Sequence, residues 1–128
     1  MKSSFDILSA LYQILNVPTV NDKLSGKIYI GDTPDTNQKD DITIKTLNNP
    51  NRYLQNGFIN LNIHVKEISS GRADLAKFKQ IINTVIPLVD NVMHQGYSFQ
   101  LDDDKGVFKD QDKDSMYLYN LKLKFQTL

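Results

Sequence analysis

Residues near the C-terminus alternate between apolar and polar. Tyr117, Tyr119, Leu121, Leu123 and Phe125 are set against Asn120, Lys122, Lys124 and Gln126. A second segment repeats the pattern, with Ile59, Leu61, Ile63 and Val65 against Asn60, Asn62, His64 and Lys66. A period of two predicts strands with one buried face and one wet face. Such strands belong to an antiparallel sheet covered on one side only.

Two other segments follow a helical period. Phe5, Leu8, Leu11, Tyr12 and Leu15 predict a short helix over 4–16, ended by Pro18, which forces Val17 out of the helical region. Leu75, Phe78, Ile81, Ile82, Val85, Ile86, Val89 and Val92 form a wide apolar stripe, predicting a long helix over 73–93. Pro87 lies inside it and predicts a kink or break. Further strands are expected at 27–30, 42–47 and 97–101, with turns at 31–34 and 48–51. The segment 102–114, rich in aspartate, reads as a loop before the closing strand.

The order is then helix, three strands, long helix, two strands, within a single domain over 1–128. The expected fold class is α+β. It has two layers: a mainly antiparallel sheet of about five strands, one long helix packed on one face, and a short N-terminal helix. The core should join Ile59, Leu61, Ile63, Val65, Leu121, Leu123 and Phe125 to Phe78, Ile82, Val85 and Val89.

Charge and cysteine content narrow the function classes. Fifteen basic residues balance fifteen acidic ones, so sequence-independent binding of nucleic acid is poorly supported. Cysteine is absent, which excludes disulfides, thiolate metal sites and thiol nucleophiles. No stretch is long and apolar enough for a membrane helix, and the N-terminus lacks a signal-peptide pattern, so a soluble, intracellularly made protein is expected.

Candidate chemistry is sparse. Asp110, Asp112 and Asp114 have the spacing of the first three EF-hand ligands. The match stops there: Ser115 stands where glycine is required and Leu121 where glutamate is required, so a solvated hairpin loop is the preferred reading. His64 and His94 are the only histidines, and neither has a carboxylate at metal-ligand spacing. The Ser69–Gly71 segment is not a phosphate loop, and capping of the long helix with Asp74 is the better use of this region. No nucleophile, metal or cofactor constellation appears, so neither an enzyme nor a cofactor is expected. One feature departs from a plain monomer. Met116 and Leu118 point opposite to Tyr117 and Tyr119, and Phe58 leads the polar face of its strand. Burial under a helix or loop and contact with a partner are both open readings for these residues.

Across nearly its whole length the chain resembles bacteriophage tail-completion and tail-terminator proteins, the head-tail joining family. The resemblance lies in the order of elements and in loose patterns: the helix from Phe5 to Leu15, Gly-Lys-Ile-Tyr-Ile-Gly at 26–31, and Gly-Phe-Ile-Asn-Leu-Asn-Ile-His-Val-Lys at 57–66. A helix carrying Ala73, Phe78 and Ile82, then two closing strands, complete it. No single residue is diagnostic. The resemblance implies a non-enzymatic virion protein of the tail or neck, assembled in the host cytoplasm. It would form a homo-oligomeric ring, often six-fold, that caps the tail tube and joins it to the head connector. DNA would pass through only transiently, and no membrane would be involved.

On that reading Phe58, Val107, Phe108, Met116 and Leu118 are the expected subunit or partner contacts, with Val107 and Phe108 anchoring a loop that orders on assembly. Asn60, Asn62, His64, Lys66, Asn120, Lys122, Lys124 and Gln126 are the expected channel-facing residues, with a plain solvated sheet face as the alternative. A small peptide- or ligand-binding α+β module of a bacterial assembly or secretion apparatus is the competing function.

Overall fold

The computed structural model describes residues 4–32, 38–47, 56–111, 113 and 115–128. They form three helices and six strands: α1 Ser4–Leu15, α2 Pro18–Asn21, β1 Ile28–Ile30, β2 Asp41–Thr46, β3 Asn56–Lys66, α3 Leu75–Val89, β4 Val92–His94, β5 Tyr97–Lys109 and β6 Met116–Thr127. One sheet contains all six strands in the order β1-β2-β3-β6-β5-β4. Every neighbouring pair is antiparallel except β1 and β2, which run parallel.

The fold is therefore α+β, as the periodicities predict. The sheet has six strands rather than about five and is mixed. Its apolar face is shared between α1 and α3 instead of lying under one long helix. The turn expected at 48–51 and the second half of that at 31–34 lie outside the described residues.

Pro18 acts twice. Val17 before it is extended (φ −128°, ψ 153°), which ends α1. Pro18 then occupies the first turn of α2, where its missing N–H would have had no helical partner. In α3 the side chain of Asp74 caps the N-terminus by accepting the Lys77 backbone N–H at 3.0 Å. Pro87 has no N–H to give the preceding turn, and the helix stops at Val89 rather than at residue 93.

The next residues form β4, which helical spacing had absorbed into α3. Gln95 and Gly96 both have positive φ (52° and 84°) and close a two-residue hairpin between His94 and Tyr97. At the root of that hairpin the Asp90 carboxylate accepts the Leu101 N–H at 2.9 Å.

The segment 102–109 is strand, not loop. Two irregularities, between Leu101 and Asp103 and between Asp104 and Gly106, let β5 follow β6 as far as the Lys109–Tyr117 pair. Gly106 supplies the positive φ (81°) at the second bulge, and its N–H is taken by Asp104. Aspartates are tolerated there because this part of the strand is exposed.

The expected core residues are all buried in one cluster with Ile7, Leu11 and Leu15 of α1 and Ile42 and Ile44 of β2. At its margin Tyr119 packs against Phe78 with the rings tilted (centroids 5.9 Å apart, 47° between planes) and donates its hydroxyl to Asp104 at 2.7 Å. Burial, followed by the bond to Asp104 and its charge, pushes the Tyr119 hydroxyl up to about 12. The folded value lies above the ordinary 10.0, so this group favours the fold below pH 10 and loses that contribution as pH rises through 12. In an ultraviolet tyrosinate titration of the folded protein, one tyrosine should ionise last, and Tyr119→Phe should remove that last step.

Candidate functional site

The face of the sheet opposite the helices carries most of the polar residues singled out by sequence. Strands β3 and β6 are neighbours, with Asn60 opposite Lys122, Asn62 opposite Asn120, Phe58 opposite Lys124 and Asn56 opposite Gln126. Asn60, Asn62, His64, Lys66, Asn120, Lys122, Lys124 and Gln126 thus form one continuous stripe along two long strands. Helices α1 and α3 pack on the other face, against the core.

The middle of the stripe is an amide cluster. Asn120 Nδ2 donates to Asn62 Oδ1 at 2.6 Å and, more weakly, to Asn60 Oδ1 at 3.4 Å. Asn120 Oδ1 itself is buried, with no hydrogen-bond partner among the described residues. The Lys122 ammonium lies 4.2 Å above the Phe58 ring centroid and 3.8 Å from Asp102 Oδ2. An aromatic face and a carboxylate both temper that charge. The stripe is therefore less basic than its own residues suggest, because the neighbouring strand β5 contributes acid.

One end of the stripe is a closed polar cluster. Thr43 Oγ1 and His64 Nε2 are 3.0 Å apart, and His64 Nδ1 and Asp110 Oδ2 are 3.2 Å apart. Thr43 (5 % exposed) and Asp110 (6 %) are buried, and the His64 side chain is 12 % exposed. Burial, opposed by the bond to Asp110, holds the imidazole below its ordinary value of 6.5.

Asp41, directly opposite His64, is fully buried and accepts the Lys27 N–H at 2.8 Å. Burial raises its carboxyl, against the stabilising Lys27 bond. A hydroxyl, an imidazole and a carboxylate stand here in the order of a nucleophilic relay. The hydroxyl belongs to a sealed residue, and the arrangement fastens the turn after β5 to β2 and β3.

The expected partner contacts do not form one surface. Val107 and Phe108 are consecutive in a strand, so they face opposite sides. Val107 packs against the core, whereas Phe108 is 47 % exposed on the polar face, opposite Leu118. Their expected role as paired loop anchors is corrected accordingly. Met116 is fully buried within its own chain and presents no surface, which decides for burial at that position. Leu118 is half-buried, and Phe58 is half-buried under Lys122.

His94 lies away from this face, with Nε2 3.0 Å from Gln13 Oε1. Of the EF-hand-like aspartates, Asp112 and Asp114 lie outside the described residues, and strand β6 begins at Met116 where a calcium loop would still be running. Among the described residues no three His, Asp or Glu side chains are grouped to hold a metal ion. At Ser69–Arg72 the Gly71 N–H is taken by Glu67 at 3.1 Å. No protein-family model matches the chain, and no curated protein matches it.

Proposed function

We propose that the protein is a non-enzymatic structural component of a bacteriophage tail. It forms a homo-oligomeric ring that caps the tail tube and joins it to the head connector. The observation that carries this reading is the long polar face of β3 and β6, left uncovered by the helices and tempered in charge. A ring lumen that passes DNA has to be wet and only weakly attractive, because tight phosphate binding would stall the polymer. Amides at the centre, with a lysine held between an aromatic ring and a carboxylate, meet that requirement. The element order and the pattern at 57–66 support the same family.

Subunit contacts in such a ring fall to the exposed Phe108, with Leu118 beside it, and to β1 and β4, the edge strands of the sheet among the described residues, since sheet edges favour pairing. Phe108→Ser tests this. Phe108 is half in solvent, so the variant should keep the thermal midpoint of the isolated chain. It should sediment as smaller species than the native protein at the same micromolar concentration. Unfolding of the isolated Phe108→Ser chain would make Phe108 a core residue and remove it from the interface.

A further inference from the structure

We propose that His64 is a proton-operated latch that holds the turn between β5 and β6 against the polar face of the sheet. Three of the contacts among the described residues bear on how the turn is fastened. Two are main-chain bonds, from Asp110 N–H to the Met116 carbonyl at 3.1 Å and from Glu67 N–H to the Ser115 carbonyl at 2.8 Å. The third is the buried relay, in which His64 reaches Asp110 of the turn on one side and Thr43 of β2 on the other. Of these three, the relay is the one that crosses β3 and contains a group that titrates near neutral pH.

The neutral imidazole satisfies every partner in one arrangement. Nδ1–H donates to the Asp110 carboxylate, and Nε2 accepts the Thr43 hydroxyl. A second proton turns Nε2 into a donor, so Thr43 must reverse its hydroxyl and become an acceptor. It also adds a positive charge to a site that is nearly closed to water.

The charged groups around the ring divide. Asp110 on the turn and Asp41 on β2 favour the imidazolium, while Lys113 on the turn opposes it, and loss of hydration outweighs the two carboxylates. Lys66, further along β3, is exposed to solvent. Asp41 itself has a raised carboxyl and gains a proton early on acidification, which removes part of the support for the charge.

The direction follows from linkage. The folded-state value of His64 lies below 6.5, so the latched state binds fewer protons than an open one. The latch contributes fully above pH 6.5 and weakens as pH falls through the folded value. Release uncovers Met116, which is fully buried at the foot of the turn, next to Leu118 and the half-exposed Phe108. Protonation thus converts a small apolar spot on the polar face into a larger one. This inference concerns the isolated chain and does not depend on ring formation.

Hydrogen exchange of the full-length chain, read by NMR as protection factors at about pH 7.5 and about pH 5, tests the latch. Protection at the Asp110 and Glu67 amides should fall by about tenfold per pH unit as pH drops from 6.5 toward the folded-state value and level off below it, while Leu61 and Leu123 keep theirs. In His64→Gln, which cannot gain the proton, the ratio between the two pH values should be close to one at all these amides. Asp110→Asn keeps the shape of the turn and removes the counter-charge that favours the imidazolium. The direct readout is therefore the His64 ring titration, which should move further below 6.5 in that variant. Equal protection at both pH values in the native chain, an equal drop in His64→Gln, or a His64 titration at or above 6.5 would each overturn the latch.

Discussion

Replacing Leu61 or Leu123 by alanine should lower the unfolding free energy by about 2–5 kcal/mol, as truncation of a fully buried aliphatic side chain does. Both side chains are completely buried. Leu61 is flanked on the same face by Ile44 of β2 and Leu121 of β6, and Leu123 by Ile59 of β3 and Leu101 of β5. Each is held by strands on both sides and by the helices above, so the neighbours have little freedom to collapse into the space left behind. Urea unfolding should show a lower midpoint with an unchanged slope, because the surface exposed on unfolding stays nearly the same. A loss below about half a kcal/mol at both positions would mean that the helices cover the other face of the sheet.

The second large effect is expected at Gly26, a position without unusual backbone geometry. A Cβ added there would overlap the Asp41 carboxylate oxygen and crowd Lys39. Asp41 cannot swing away freely, since it is fully buried and accepts the Lys27 N–H. Gly26→Ala should therefore cost about 1–3 kcal/mol, the range for leaving a buried polar group without its partner. A double-mutant cycle separates this cause from a general effect on the turn. In an Asp41→Ala background the obstacle is gone, and Gly26→Ala should cost much less. An equal cost in both backgrounds would rule out the carboxylate as the reason for glycine.

The parts of the fold that the sequence makes legible are those in which one physical signal dominates. Alternation along β3 and β6 defines the buried face, and helical spacing from Leu75 to Val89 defines the helix that covers it. The pre-proline effect at Val17 fixes the end of α1. Legibility fails where two signals compete. Val92 continues the spacing of Val85 and Val89, so β4 reads as more helix. The tight-turn pair Gln95–Gly96, with the proline five residues upstream of Val92, is the evidence against that reading. Aspartates at 102–104 mimic a loop, because the two bulges that keep them paired with β6 are a property of the strand pair and not of local composition.

The candidate site divides in the same way. Its polar stripe is visible as a period of two, but its tempered charge comes from Asp102 on another strand. The relay joins residues 21 and 46 positions apart in the chain, and Thr43 carries no signal of its own beyond alternation with Ile42 and Ile44. His64 is the only member that composition brings to notice. Its partners follow from the β2-β3-β6-β5 order of the sheet, which no local pattern announces.

The mass of the native protein in solution tests the assembly reading most directly. Multi-angle light scattering at micromolar concentration, alone and with purified tail-tube protein, should give a particle whose mass is a whole multiple of the 14.6 kDa chain, with the multiple fixed in the presence of the tube. A strict 14.6 kDa monomer under both conditions would contradict the ring, and with it the reading of the β3–β6 face as a lumen.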